Sequence, residues 1–247
     1  MSQSNINSKK SIIQNIKNFK IYLNERFPLG KNSIFVLIFT LSGYIYTGLL
    51  YNSKIINQIF SKEIKVPMPW HKIVALFIII FMFFFQLRIT DEFKDYEEDL
   101  KYRAYRPVQR GIISLKTLGK IGIATVIIQI MLAHVIDPEI IYFMIFVWIY
   151  MFLMAKEFFI KKWLTKRILI YALSHVVIMI FITLVIVNAT QYIVLDGTEN
   201  IFEFGVLQWN RHNIDFALIP LFTLNYLNGI VLEIGRKTRR ADEEEHG

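Results

Sequence analysis

The sequence predicts an all-α fold, a polytopic transmembrane helical bundle with six spans, and three observations support this. First, 54% of the 247 residues are hydrophobic and the mean hydropathy is +0.41, which is more apolar than an ordinary soluble domain. Second, six apolar stretches are long enough to cross about 30 Å of hydrocarbon as helices. Third, lysine and arginine concentrate in alternate connections between those stretches. A lipid bilayer is therefore the predicted solvent and partner.

The six predicted spans are separated by connections of different lengths. They are Ser33–Tyr51, Ile73–Ile89, Leu118–Ile136, Ile140–Ala155, Ile168–Val187 and Phe216–Ile234. Only Asp137 to Glu139 and their flanks separate the third span from the fourth, which predicts a tight helical hairpin. Residues 33–235 are therefore predicted to form one six-helix transmembrane domain, with a cytoplasmic aspartate-rich loop at residues 88–117.

The spans are preceded by a basic tail, residues 1–32, and followed by a charged tail, residues 236–247. In the first tail, apolar residues recur at helical spacing and four lysines fall mostly on the other side of the turn. This pattern is typical of a helix on an anionic membrane surface, and equally of a short helix packed on the rest of the protein.

The distribution of basic residues predicts the orientation of the chain. If both termini are cytoplasmic, 23 of the 28 lysine and arginine residues lie on the cytoplasmic side, as the positive-inside rule requires. The net charge of +8 is spread over separate loops rather than along one stripe, so no nucleic-acid partner is predicted. The absence of cysteine excludes disulfides, thiolate nucleophiles and cysteine metal sites.

The charged segment, Arg88–Ser114, follows the second span and contains six acidic and six basic residues. On a helix continuing from the membrane, Asp91, Asp95 and Asp99 share one face, with Arg88 one turn earlier. Like charges stacked in this way repel, whereas a hard divalent cation needs several carboxylate oxygens, and Mg²⁺ commonly adds substrate phosphate oxygens. The three aspartates are therefore the predicted Mg²⁺ ligands.

Three arginines follow these aspartates within the charged segment. The Arg106-Pro107 pair is predicted to end the helix and to turn Arg103, Arg106 and Arg110 back toward the acids. Because guanidinium groups bind phosphate with matched geometry, the segment predicts a metal-bridged diphosphate at the cytoplasmic end of a membrane cavity. The alternative is a charged cytoplasmic loop whose acids pair with neighbouring bases for solubility and topology.

This segment resembles the first aspartate-rich motif of the UbiA superfamily of intramembrane prenyltransferases. The resemblance lies in Asp91-x-x-x-Asp95-x-x-x-Asp99, followed by Arg106-Pro107 and then Arg110-Gly111. Asp91 stands where the family has asparagine, and Glu92 replaces the adjacent aspartate. The resemblance implies Mg²⁺-dependent transfer of an isoprenyl group from a prenyl diphosphate, an allylic diphosphate, to a lipophilic or aromatic acceptor.

The resemblance also implies residue roles and a larger architecture. Asp91, Asp95, Asp99 and Arg106 are the expected catalytic residues, and the other three arginines, Arg88, Arg103 and Arg110, are expected to bind substrate. The family has nine transmembrane helices and a second aspartate-rich motif after the sixth. The chain is therefore expected to correspond to the N-terminal two thirds of such a protein, as a truncated or naturally short member.

Polar side chains inside the spans are the remaining candidates for substrate binding. His175 in the fifth span and Asn225 in the sixth are costly to place in hydrocarbon, which favours a functional role. Interhelical hydrogen bonding explains such residues equally well. A transporter or channel and a noncatalytic membrane scaffold stay open as alternative functions, although the span interiors lack acidic residues apart from Glu233 at the edge of the sixth.

Overall fold

The computed structural model describes residues 3–59, 68–195 and 216–237, and these ranges contain helices and no strand. Two single 3-10 turns, Glu157–Phe159 and Phe216–Leu218, precede α7 and α10. The helices are α1 Gln3–Arg26, α2 Leu29–Ile59, α3 Trp70–Lys94, α4 Tyr96–Tyr102, α5 Leu115–Ile136, α6 Ile140–Ala155, α7 Lys161–Leu164, α8 Ile168–Val176, α9 Ile178–Leu195 and α10 Ile219–Lys237. The predicted all-α fold is confirmed.

Within the described ranges, four helical stretches are long and apolar enough to cross a membrane. They are Leu29–Leu50 in α2, Trp70–Lys94 in α3, Leu115–Ile136 in α5, and Leu169–Val194 across α8 and α9. They correspond to the first, second, third and fifth predicted spans. By length and composition, the chain is an integral membrane protein.

The fourth and sixth predicted spans coincide with shorter apolar helices. The 16 residues of α6 cover about 24 Å at about 1.5 Å per residue, less than the roughly 30 Å of hydrocarbon. The apolar part of the last helix, Phe216–Val231, is similarly short.

The turn between α5 and α6 is as short as predicted, and Asp137 Oδ1 accepts a hydrogen bond from the Glu139 N–H over 2.8 Å.

The α3 helix is the centre of the bundle because almost every residue in its membrane part is apolar. It packs against α2, α5, α6 and α9, and Leu76, Ile79, Ile80 and Phe83 have no exposed surface. Close packing on several sides explains why this helix lacks a single apolar stripe.

A buried polar group interrupts this apolar core. The Gln86 Nε2 group donates hydrogen bonds to Thr125 Oγ1 (2.9 Å) and Gln129 Oε1 (2.7 Å), and Trp148 Nε1 donates to Gln86 Oε1 (3.2 Å). The Gln129 amide in turn donates to the Ile79 carbonyl over 3.0 Å. Since these amide groups are paired, their burial is tolerated, and they join α3, α5 and α6.

The last turns of α1 pack on the bundle beside the charged segment. Tyr22 and Phe27 are buried against Phe85 and Ile89 of α3, together with apolar residues around the start of α5. The first helix is therefore held at the end of the bundle where the charged segment lies.

Candidate functional site

The charged segment is bent at Asp95, which differs from the continuous helix predicted from the sequence. The α3 helix ends at Lys94, Asp95 has φ −97° and ψ 8°, and α4 begins at the next residue. Backbone hydrogen bonds still join Asp95 N–H to the Asp91 carbonyl (2.9 Å) and Asp99 N–H to the Asp95 carbonyl (2.8 Å). The four-residue spacing therefore survives, but the three carboxylates have different surroundings.

Asp99 is fully buried and holds two of the predicted arginines. Its Oδ1 accepts a hydrogen bond from Arg103 Nη1 over 3.0 Å, and its Oδ2 accepts one from Arg106 Nη1. Arg106 lies back against Asp99, as predicted, whereas Arg103 meets Asp99 as an ordinary pair four residues apart. The prediction that Arg106-Pro107 ends the helix is wrong, because α4 already ends at Tyr102. Both Asp99 oxygens are occupied by guanidinium groups, so in this conformation Asp99 positions arginines rather than presenting an open ligand.

Glu92 forms a second buried ion-pair group at the same end of the bundle. Its Oε1 accepts hydrogen bonds from Arg26 Nε (2.7 Å) and Arg88 Nη2 (3.1 Å), and the Arg88 Nη1 nitrogen lies 3.6 Å from Asp91 Oδ2. Arg26 was not among the predicted site residues, and Glu92 had no predicted role in the site. The only sequence signal for Glu92 was its position four residues after Arg88 and at an acidic position of the family motif.

Arg110 reaches α1 instead of the aspartates. Its Nη2 lies 2.6 and 2.7 Å from the two carboxylate oxygens of Glu25, and both side chains are partly exposed. Of the four predicted arginines, Arg88, Arg103 and Arg106 contact the acidic residues of their own segment, whereas Arg110 ties that segment to the first helix.

Asp91 and His175 line the same small cavity at this end of the bundle. The cavity has a volume of about 10 Å³, enough for about one water molecule. It is lined by Leu87, Thr90, Asp91, Lys94, Met151, Met154, Ala155 and His175. The structure therefore brings the predicted His175 beside the predicted Asp91, from helices that are distant in sequence.

Hydrogen bonds fix the chemical form of His175. Its Nδ1 lies 2.8 Å from the Tyr171 carbonyl oxygen, which accepts only from a protonated nitrogen. In the neutral ring the unprotonated nitrogen is therefore Nε2, which is buried and has no hydrogen-bond partner in the described part of the chain. Lys94 Nζ donates to the Tyr171 hydroxyl over 2.7 Å, and the Tyr171 ring stacks on His175, so Tyr171 joins two of the residues that line the cavity.

Asp95 is a half-buried carboxyl in an acidic environment. The pKa of Asp95 is raised from 3.8 to about 6, mainly by burial. Lys94 acts in the opposite direction, and the carboxylates of Asp91, Asp99 and Glu98 add to the increase. These carboxylates repel the negative charge of an ionised Asp95. A cation bound at Asp91 and Asp95 would therefore reduce the repulsion.

The donor set fits one magnesium ion shared with a phosphate group. In the described ranges no three histidine, aspartate or glutamate side chains are grouped so that they alone hold a metal ion. Asp91 and Asp95 are partly exposed, whereas the oxygens of Asp99 are taken by arginines. Mg²⁺ is usually bound by one or two carboxylates together with phosphate oxygens and water. Asp91 and Asp95 would supply the two carboxylates. Magnesium stays a prediction.

Asn225 lies apart from this cluster. Its Nδ2 donates a hydrogen bond to Thr183 Oγ1 over 2.9 Å, and both side chains are buried where α10 packs on α9. Asn225 is not among the residues that line the cavity, and its hydrogen bond is the interhelical kind found in many membrane proteins. Its predicted role in substrate binding stays a prediction.

Comparison of the chain with protein-family models, curated proteins and solved structures finds no match. The fold and the site therefore define a class in physical terms: an all-helical integral membrane protein with a buried ion-pair cluster at one end of its bundle.

Proposed function

We propose that the protein is a Mg²⁺-dependent intramembrane prenyltransferase that moves an isoprenyl group from an allylic diphosphate to a lipophilic, often aromatic acceptor. The observation that carries this proposal is the placement of two partly exposed carboxylates, Asp91 and Asp95, beside Arg88 and Lys94 at the end of an apolar bundle. The diphosphate binds at the charged end, and the apolar chain lies among the helices.

The proposed topology has six spans, with both termini and the charged segment on the cytoplasmic side. The two short helices α6 and α10 complete the six. Support comes from the 23 basic residues on one side of the six spans, as the positive-inside rule expects.

Two buried donors support an anion at this place. Arg88 Nε and Arg106 Nε are buried and have no hydrogen-bond partner among the described residues. Leaving a charged donor unpaired in a protein is costly, so a phosphate oxygen is the kind of group that would satisfy them. Asp99 and Glu92 hold the same two arginines in place.

The proposed reaction breaks the bond between the allylic carbon and the diphosphate oxygen and joins that carbon to the acceptor. When bound, Mg²⁺ supplies positive charge that stabilises the departing diphosphate. Arg88 and Lys94 orient the diphosphate at Asp91 and Asp95. The unprotonated Nε2 of His175 takes the proton that the acceptor loses, and the diphosphate leaves with its electron pair.

The cavity must widen before it accepts an isoprenyl chain, because its volume of about 10 Å³ holds no more than water. Met151 and Met154 form part of its wall on α6, and methionine side chains repack readily because they are unbranched and flexible. Substrate binding is therefore expected to rearrange the wall contributed by α6.

The test is binding of an allylic diphosphate to the purified chain in lipid nanodiscs, with Mg²⁺ or with EDTA. Asp91→Asn and Asp95→Asn are each expected to weaken Mg²⁺-dependent binding by about tenfold or more, because one charged ligand is lost at nearly constant shape. The matched control is Glu98→Gln, in the same segment and half exposed, which should bind like the wild type. Binding that is indifferent to Mg²⁺ and to both variants would contradict the proposal.

A noncatalytic membrane scaffold is the second candidate, and a specific observation favours it. The carboxylates of Glu92 and Asp99 are already paired with arginines, and the adjoining cavity has the size of a water molecule. A scaffold would show no Mg²⁺-dependent binding of diphosphate in the same assay, whereas the prenyltransferase would.

A further inference from the structure

The apolar stripe of α1 extends beyond the part of the helix that packs on the bundle. Phe19 and Leu23 are partly buried and pack on the cluster formed by the ends of α3 and α5. Ile16, one turn earlier on the same side of the helix, is 63% exposed, and the neighbouring Ile13 is 54% exposed. The stripe is thus covered at one end and uncovered at the other.

The position of α1 determines what surrounds the uncovered end. Its covered end rests on Phe85 and Ile89, which belong to a helix long and apolar enough to cross the membrane. The first candidate span begins at Leu29, only two residues after α1 ends at Arg26. The helix therefore lies near the level where the bundle meets the surface of the bilayer, and Ile13 and Ile16 are left exposed there.

Two ion pairs fix the helix in this position. Arg26 bonds to Glu92 over 2.7 Å, and Glu25 pairs with Arg110 over 2.6 Å. Because both contacts lie at the last turn of α1, they set the direction in which the rest of the helix leaves the bundle.

The charge of α1 indicates which kind of partner covers its exposed isoleucines. Lys17 and Lys20 are exposed beside the uncovered isoleucines. The sequence from Met1 to Asn24 contains four lysines and no acidic residue. A second copy of this helix would bring like charges together, whereas anionic headgroups attract them, and the long lysine side chains reach headgroups while the isoleucines enter the acyl boundary.

We propose that the first helix binds the surface of an anionic phospholipid bilayer, with Ile13 and Ile16 in the acyl boundary and Lys17 and Lys20 on headgroup phosphates. This binding does not depend on the proposed prenyl transfer. It would hold the charged segment at the membrane surface whatever reaction the protein performs, because α1 is tied to that segment.

The experiment uses the full chain in nanodiscs of phosphatidylcholine, with or without phosphatidylglycerol. Because the chain has no cysteine, Ile16→Cys gives a single spin-label site. Gln14→Cys is the matched control, because Gln14 is exposed and about 200° around the helix from Ile16. The readout compares accessibility of each label to lipid-soluble oxygen and to a water-soluble nickel complex.

The label at residue 16 should favour oxygen over the nickel complex several-fold more than the label at residue 14. This preference should increase when phosphatidylglycerol is added and fall when Lys17→Gln and Lys20→Gln are introduced together. Equal accessibility at the two positions, or a preference indifferent to lipid charge, would overturn the proposal. Low accessibility to both reagents with dipolar broadening between labels would identify a second copy as the occupant and would also overturn it.

Discussion

Arg26 Nε donates a hydrogen bond of 2.7 Å to Glu92 Oε1, and this contact joins α1 to the end of α3 across 66 residues of sequence. Glu92 is fully buried, and Arg88 is its second partner. A buried carboxylate with two guanidinium groups makes the first helix part of the charged cluster.

Replacing Arg26 with glutamine should destabilise the protein, because the buried Glu92 then loses one of its two guanidinium partners. We expect a loss of about 2 kcal/mol, less than for a buried pair left with no partner. Thermal unfolding in detergent is the measurement. Arg110→Gln is the control, since its partly exposed pair with Glu25 should contribute less than about 1 kcal/mol. Equal effects of the two variants would contradict the buried role of Arg26.

Asp95→Asn should stabilise the protein without metal, and more so at neutral than at acidic pH. The pKa of Asp95 is raised from 3.8 to about 6 in the folded state, so its favourable contribution is complete below 3.8 and is lost as pH rises through about 6. Because asparagine does not titrate, the variant lacks this dependence of stability on pH. Because the side chain is over one third exposed, we expect only about 1 kcal/mol after solvent screening.

The measurement is the difference in unfolding temperature between Asp95→Asn and the wild type, taken from pH 4 to pH 7 in EDTA. The difference should grow across this range, and Glu97→Gln, an exposed acid in the same segment, serves as a control for the general loss of an acid. A constant difference between pH 4 and pH 7 would show that Asp95 titrates normally.

Asp99→Asn should act on stability rather than only on ligand binding. Arg103 and Arg106 both pair with this buried carboxylate, and its replacement should cost about 3 kcal/mol because two guanidinium groups lose their charged acceptor. Unfolding of Asp99→Asn and Asp95→Asn side by side tests the distinction. If Asp99→Asn unfolds like the wild type but loses Mg²⁺-dependent diphosphate binding, then Asp99 is primarily a ligand.

The proposed topology predicts opposite labelling of two introduced cysteines. Met68→Cys lies between α2 and α3, and Glu98→Cys lies in α4 at the charged segment. In intact cells an impermeant thiol reagent should modify the first from outside and the second only after permeabilisation. Both native side chains are substantially exposed, so protection reports the membrane rather than burial. Labelling of Glu98→Cys from outside would contradict the proposed orientation and indicate the opposite one.

The sequence predicted the parts of the structure that depend on local pattern. Apolar runs located the helices, and the position of the Arg106-Pro107 pair predicted that Arg106 returns to the acids, where it contacts Asp99. Span lengths were less predictable, because residues 140–155 are wholly apolar and hydrophobicity alone does not distinguish a short apolar helix from a complete span.

Contacts between distant segments could not be read from periodicity. Nothing local in the first helix marks Arg26 as the partner of Glu92, because that contact depends on how α1 packs against α3. The sequence likewise suggested a role for His175 but not its place beside Asp91, which requires α8 to lie next to the end of α3.

The length of α6 affects how the surrounding membrane fits the protein. Its outward residues, among them Tyr142, Phe146, Ile149 and Phe152, are apolar or aromatic and about half exposed, yet the helix covers only about 24 Å. A helix shorter than the hydrocarbon layer creates hydrophobic mismatch, which lipids relieve by thinning locally. Acyl-chain length in the host membrane is therefore a variable that acts on this side of the bundle, where Met151 and Met154 line the cavity.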